Sequence, residues 1–373
     1  MHFNALAIIN VPEVKPEPNL DRDVEEMIAH FERTLKNDPN AFSAKMNLRH
    51  WNGLRTAFAR MVYVLMQDTM APFDCNTSDP KHLSFEDHSE QLLKEYTEGS
   101  DDCIRFPDGR ILETSNYQAR KFQIRNGKVV QRRAGPLKHP KVTRKCRKMK
   151  ALPSYPRTKR YKSMADYAER GCGMVFNKNY NAYGYTFNPN GMWDFFSIGG
   201  RWPFAFLVKE DCEYSPGSYD YFDCGENRTA PDGYRWVSAA RKKDIAWDEM
   251  RKWFTEANTK NFYELEAMFK SGKVDENRLL ILQADGICTW NGYLYQAGDT
   301  LESFLAKHDI PTFWKYPVNF TDLVIGGKWH NGFVGSELSN ADEKEKKEWR
   351  EKFDRAVDEA SDESVFVSFD YHM

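Results

Sequence analysis

The stretch IRFPDGRILETSNYQARKFQIRNGKVV, residues 104–130, is where the chain changes character. Ile104-Arg105-Phe106 and Arg110-Ile111-Leu112 flank Pro107-Asp108-Gly109, and Lys121-Phe122-Gln123-Ile124 and Val129-Val130 flank Asn126-Gly127. Apolar residues on both sides of such a turn signal a β-hairpin, because Gly and Asn tolerate the left-handed backbone that the turn demands. Upstream the pattern is helical. Val24, Met27, Ile28, Phe31 and Leu35 recur at three- and four-residue steps and predict a helix over 20–35. Pro39 can open a second, running through Met46, Leu48, Trp51, Leu54, Phe58, Met61, Val62 and Leu65 to Gln67. A third is predicted over 84–96, with Ser84 as N-cap and Glu86 and Asp87 near the positive end of its dipole. Residues 4–11, NALAIINV, read as a buried strand ended by Pro12.

Downstream, Ser163 to Glu169 reads as a short capped helix ended by Gly171. Strands at 183–187 and 204–208 and a helix at 246–270 follow. A hairpin over 279–296 turns at Asp285-Gly286 or Asn291-Gly292, and helices at 300–307 and 341–360 precede a final strand at 364–369. Helices and hairpins alternate without a βαβ repeat. The expected class is therefore α+β: a helical N-terminal section plus a mostly antiparallel sheet, with a basic hairpin or arm inserted. Expected boundaries are 1–113, 114–165 for the basic arm, and 166–373 for the α+β body.

The charge distribution sets the second boundary. From 114 to 165 there are 17 Lys and Arg and no acid, so a net charge of −2 leaves −19 for the rest. The densest part, 131–150, holds Arg132, Arg133, Lys141, Arg144, Lys145, Arg147, Lys148 and Lys150, broken by Pro136 and Pro140 and poor in large apolar residues. Cations placed this way neutralise phosphates and release counterions, the basis of sequence-independent nucleic-acid binding. His139, Tyr155 and Tyr161 can add stacking on unpaired bases. The alternative is a solvated basic arm resting against the acidic remainder.

Composition excludes several classes. With 373 residues, 41% hydrophobic and 29% charged, the chain is no wholly disordered polymer. No run of about 18 apolar residues predicts a membrane span. The start lacks a basic segment and a small-residue cleavage site, so a cytoplasmic protein is expected. The seven cysteines form no C-x-x-C and no zinc ladder, and are read as reduced thiols, Cys172 in Gly-Cys-Gly included. No metal site is expected, and no cofactor is specified.

The central segment YGYTFNPNGMWDFFSIGGRW, 183–202, carries the most specific motif. Asn-Pro-Asn-Gly is turn chemistry, and Gly199-Gly200 permits a kink or a close approach. Arg201 can present its planar fork to a carboxylate or phosphate, with Trp193 and Trp202 as flat faces beside it. Val324-Ile325-Gly326-Gly327-Lys328-Trp329-His330 echoes it, so Lys328 and Trp329 join the candidate ligand-binding residues. The alternative is a pair of tight corners beneath a core.

The Asn-Pro-x-x-x-Trp-Asp-(aromatic)₂-x-Ile-Gly-Gly-Arg-Trp string resembles the signature of an uncharacterised family of bacteriophage and prophage proteins. Val367-Ser368-Phe369-Asp370-Tyr371-His372-Met373 resembles that family's final strand, which usually closes Val-Asp-Cys-His-Ile. Val11-Pro12, Ala71-Pro72-Phe73-Asp74 and Gly327-Lys328-Trp329-His330 are similar too. Gly191 and Met192 depart from a commoner Ala-Lys, and Tyr371 from Cys. The resemblance implies a phage setting and an intracellular place of action, and carries no known activity with it.

No P-loop, H-E-x-x-H or G-x-S-x-G is present. Asp370 and His372 share a strand face and can form an acid–base or metal pair. Asp194 can pair with Arg201 or act as a base. Asp194, His330 and His372 are the candidate catalytic residues. The leading expectation is a phage-encoded binding protein for nucleic acid or a nucleotide-like ligand, a host-takeover or anti-defence factor. The rivals are an enzyme acting on nucleic acid or nucleotides, and a structural or inhibitory protein that binds a host protein.

Overall fold

In the computed structural model, which describes residues 2–10, 20–132, 139–202, 204–216, 218–219, 229–271, 281–283, 287–290, 293–307, 315–332 and 343–373, the first apolar run forms the strand His2–Ile9. It pairs antiparallel with Val365–His372 over its whole length, from His2↔His372 to Ile9↔Val365. On its other side it runs parallel to Asp322–Ile325. The strand order is Tyr214–Ser215, Ala239–Arg241, Val365–His372, His2–Ile9, Asp322–Ile325, Lys328–Asn331. Phe195–Gly200 pairs with the His372 end of Val365–His372, beyond the stretch taken by Ala239–Arg241.

Alternate residues of these strands enter two cores, which is why they read as continuous apolar runs. Leu6, Ile8 and Phe366 pack with Phe206, Val237, Met250 and Phe353. Ala5, Ala7, Val367 and Phe369 pack with Phe58, Val62, Met66 and Met70 from the helix Ala57–Met70. Each large side chain buried here contributes roughly 1.5–3 kcal/mol of transfer free energy. The single helix expected from Pro39 to Gln67 is two, Phe42–Gly53 and Ala57–Met70. Thr56 starts the second by accepting from Ala59 N at 3.1 Å, and Arg60 donates back to Leu54 O and Arg55 O. Both helix ends are thereby satisfied at the break. Helices Leu20–Asn37, Trp247–Ser271, Leu301–Lys307 and Glu343–Glu359 lie where periodicity places them. Region 279–296 holds three strands, Ile281–Gln283, Ile287–Trp290 and Tyr293–Gln296, rather than one hairpin, and both expected turns lie outside the described residues.

These elements belong to one of two compact units, Met1–Cys75 with Asn190–Met373; the other is the contiguous Asn76–Pro189. The boundaries set from charge, 113/114 and 165/166, both fall inside the second. There the two expected hairpins form, Ser100–Arg105 with Ile111–Glu113 and Phe122–Arg125 with Lys128–Gln131. Asn126 and Gly127 take φ of 48° and 69°, the two-residue turn that suits strand twist. The basic segment continues as a strand, Lys150–Pro156, on the far side of Ser100–Arg105. Cys146 and Met149 enter a small core with Ile104, Phe122 and Val129. The expected helix at 84–96 is a strand, Ser84–Asp87, then a helix, Ser89–Glu98. Ser84–Asp87 pairs with Ala182–Phe187, and Asp87 Oδ1 accepts from Ser89 N at 2.8 Å, so the carboxylate and not Ser84 opens the helix. Ser163 does cap, accepting from Asp166 N, but the chain continues past Gly171 in a wide turn to Gly173, φ 70°.

One buried polar group sits inside the first unit's sheet. Asp322, 3% exposed, accepts from Tyr371 Oη and Thr321 Oγ1, each at 2.8 Å, and burial pushes its carboxyl above the usual range. A raised folded-state value means that stability is lost as pH rises through it, because the unfolded chain gives up the proton more readily. Tyr371→Phe removes a donor to the ionised form. It is expected to cost about 1–3 kcal/mol, with a larger loss at pH 8 than at pH 5. Urea midpoints at the two pH values check this, and the reverse order would remove Asp322 as the cause.

Candidate functional site

Unit Asn76–Pro189 holds 23 Lys and Arg against 12 Asp and Glu, a net of +11, which leaves −13 on the rest of the chain. Arg132, Lys141, Arg144, Lys145, Arg147, Lys148 and Lys150 are all exposed. None forms an ion pair among the described residues; the pairs of this unit use Lys81, His88, Arg110, Arg157, Arg160 and Arg170. Arg133 lies outside the described residues. Sheet register adds to the positive density. Arg105 lies opposite Lys150, and Arg125 opposite Lys128. Ile104 and Ala151, one residue along, face the small core, so Arg105 and Lys150 share the outer face. Like charges directly opposite on a sheet are destabilising, and a bound anion relieves them.

Other cations of the segment are spent internally. Arg157 holds Asp101 at 3.0 Å and Glu95 at 3.5 Å and lies over the Tyr167 ring. Arg160 pairs with Glu113 and Asp101 and covers Tyr161, which is buried and offers no stacking face. His139 is exposed and Tyr155 half-buried.

In the first unit, one face of the sheet ends in a polar row. Asp370, fully buried, and His372 share that face, but they do not pair with each other as the spacing suggested. His2 Nδ1 meets Asp370 Oδ1 at 3.0 Å, and His372 Nδ1 meets Asp194 Oδ1 at 2.8 Å. The two imidazoles are 5.0 Å apart between ring centres. Arg201 Nε stands 3.7 Å from Asp370 Oδ2, so its carboxylate is Asp370 rather than Asp194. A carboxylate on Nδ1 fixes the tautomer and turns Nε2 into the atom that takes or gives a proton. Two such imidazoles side by side can serve as acid and base. Among the described residues no group of three or more His, Cys, Asp or Glu is placed to hold a metal. His2 was not legible as a member: a histidine at position 2 reads as a frayed end until a partner strand pins it.

His330 stands elsewhere. It lies opposite Leu323, which lies opposite Leu6, which lies opposite Ser368, three strands from the row or about 14 Å at strand spacing. Burial, aided by Lys352 and Lys328, lowers its pKa. Trp193 is anchored by its Nε1–H to Met70 O at 3.0 Å and packs edge-on against Phe196. Trp329 packs edge-on against Phe73, Phe369 and Tyr371. Trp202 and Lys328 are exposed. The two Ile-Gly-Gly-cation-Trp segments share left-handed glycines but not a role. Gly326-Gly327 is the turn between Asp322–Ile325 and Lys328–Asn331, whereas Gly199-Gly200 ends a strand and packs on Asp370.

A cavity of about 180 Å³ opens beside the strand Phe195–Gly200, lined by His50, Tyr63, Gln67, Phe195, Ser197 and Ser215 among others. Burial lowers the His50 pKa, so its imidazole is neutral at pH 7. Ser197 and Phe195 lie opposite Asp370 and His372, so one strand separates the cavity from the polar row. Cys75, Cys103, Cys146, Cys172 and Cys212 are free thiols. Burial pushes Cys103 up to about 11 and also raises Cys75 and Cys212, which keeps these three protonated and weakly nucleophilic at neutral pH. Among the described residues, no helix is long and apolar enough to cross a membrane. Comparison with protein-family models, with curated proteins and with solved structures gives no match.

Proposed function

We propose that this chain binds nucleic acid through unit Asn76–Pro189. The observation that carries this reading is the set of seven exposed cations without an acidic partner among the described residues, in a unit of net charge +11. A surface built only for stability places acids among such cations, as this unit does around Arg157 and Arg160. The phage setting, an intracellular place of action and a host-takeover or anti-defence role belong to the same proposal, through the resemblance of the central motif. The test is fluorescence anisotropy of the full chain with labelled oligonucleotides across salt concentration. If all seven cations engage, log K falls with log[salt] at a slope of roughly −5 for a single strand and −6 for a duplex. A slope near zero would remove this unit from any nucleic-acid interface.

A second reading, an enzyme acting on nucleic acid or nucleotides, is favoured by the two carboxylate-anchored imidazoles. It predicts that His2→Ala and His372→Ala each abolish turnover while leaving binding intact, and that His330→Ala does not. A chain that binds no nucleic acid yet retains a host protein would support the third reading, an inhibitory or structural partner.

A further inference from the structure

We propose that unit Asn76–Pro189 takes single-stranded nucleic acid, stacking unpaired bases on the aromatic face of its three-stranded sheet; this rests on the nucleic-acid reading above. That sheet is Ser84–Asp87, Ala182–Phe187 and Val175–Asn177, with Ala182–Phe187 in the middle. Tyr183, Tyr185 and Phe187 alternate along the central strand and share one face. Tyr183 is turned into a core with Leu92 and Tyr167, and its hydroxyl donates to Glu169 at 3.2 Å. Past it the same face opens. Tyr185 is 44% and Phe187 40% exposed, and Phe176, opposite Tyr183, is 39% exposed.

Rings two residues apart on a strand stand about 7 Å apart, which leaves room for a base against each. Large aromatic side chains grouped on a surface mark an interaction face. A protein partner and a nucleic acid both use such rings; the charge of this unit selects the polyanion. Glu86 lies opposite Tyr185, but His88 pairs with it at 3.4 Å and also meets the Tyr185 ring edge-on. Duplex bases are already stacked on one another, so only unpaired bases reach these rings. A unit of 114 residues has a radius of gyration of about 13 Å, so one strand of about 12–16 nucleotides reaches from these rings to any cation of the same unit.

The experiment compares a labelled mixed-sequence 16-nucleotide single strand with the 16-base-pair duplex, using the full chain and its Tyr185→Ala, Phe187→Ala and Tyr185→Phe variants. The single strand is expected to bind more tightly than the duplex. Each alanine variant should lose about 5–150-fold in single-strand affinity with an unchanged salt slope, and Tyr185→Phe should retain it. Circular dichroism checks that the alanine variants are folded, and their duplex affinity serves as an internal control. Equal binding of both probes, unaffected by ring removal, would overturn stacking and leave the polyanion reading standing. Binding of neither probe would overturn both. Intact single-strand binding in the alanine variants, with loss of a protein partner, would make this face a protein interface and overturn the proposal.

Discussion

Changing Arg144, Lys145, Arg147 and Lys148 together to glutamine is expected to lower nucleic-acid affinity by about 10²–10³-fold at 0.1 M salt and to flatten the salt slope by about 3–4. Each cation that neutralises a phosphate releases most of one condensed counterion, so four losses combine in both quantities. These four lie around a short helical turn, Cys146–Lys148, whose backbone is pinned from below. Cys146 and Met149 are buried, and Thr143 Oγ1 accepts from Cys146 N at 3.3 Å. The exposed side chains can therefore change without disturbing that core, and glutamine keeps their length. The thermal midpoint should stay where it is. Arg157→Gln is the control of opposite kind. Its partners Asp101 and Glu95 are internal, so the variant should lose stability and keep the slope. An unchanged slope in the quadruple variant would sink the electrostatic interface.

Gly200→Ala should cost about 2–4 kcal/mol of unfolding free energy, from left-handed strain plus overpacking. Gly200 has φ of +47°, and a Cβ there would stand 2.3 Å from Asp370 Cβ and 2.9 Å from its Oδ2. Asp370 has no room to retreat, being fully buried on a central strand and held by His2. Gly326 separates the two terms. Its φ is +58°, but nothing lies within 4 Å of the added carbon, so Gly326→Ala should cost only the strain, about 1–2 kcal/mol. Urea denaturation of both variants reads the difference. Equal losses would mean that contact with Asp370 contributes nothing.

Local chemistry was legible where the answer is local. The Asn126-Gly127 hairpin, the Ser163 cap and the helices from Leu20 and Trp247 depend on residues a few positions apart. The α+β class with mostly antiparallel pairing followed from those pieces. Ser84–Asp87 misled because Ser-Phe-Glu-Asp is a good helix start, while its strand partner, Ala182–Phe187, lies about a hundred residues on. The same limit hid the partners of the polar row. That Asp370 and His372 share a face is a matter of spacing; that each turns to another residue depends on strands brought in from positions 2 and 194. The absence of acids from 114–165 was plain, but not which of its arginines would find Glu95, Asp101 and Glu113 outside the segment.

The pairing of His2–Ile9 with Val365–His372 has a consequence during synthesis. The innermost strands of the first unit's sheet are separated by most of the chain, so the early strand must wait for residues 322–325 and 365–372 before it has neighbours on both sides. Unit Asn76–Pro189 has no such wait, since its partners all lie within one continuous segment. At ribosomal rates the interval between completing Pro189 and reaching His372 is roughly 10–40 s. Throughout it, the apolar strand at the start of the chain has both hydrogen-bonding edges open, while the cationic unit is already whole. The nascent protein thus passes through a stage at which its polyanion-binding half is finished and its other half still needs protection from aggregation.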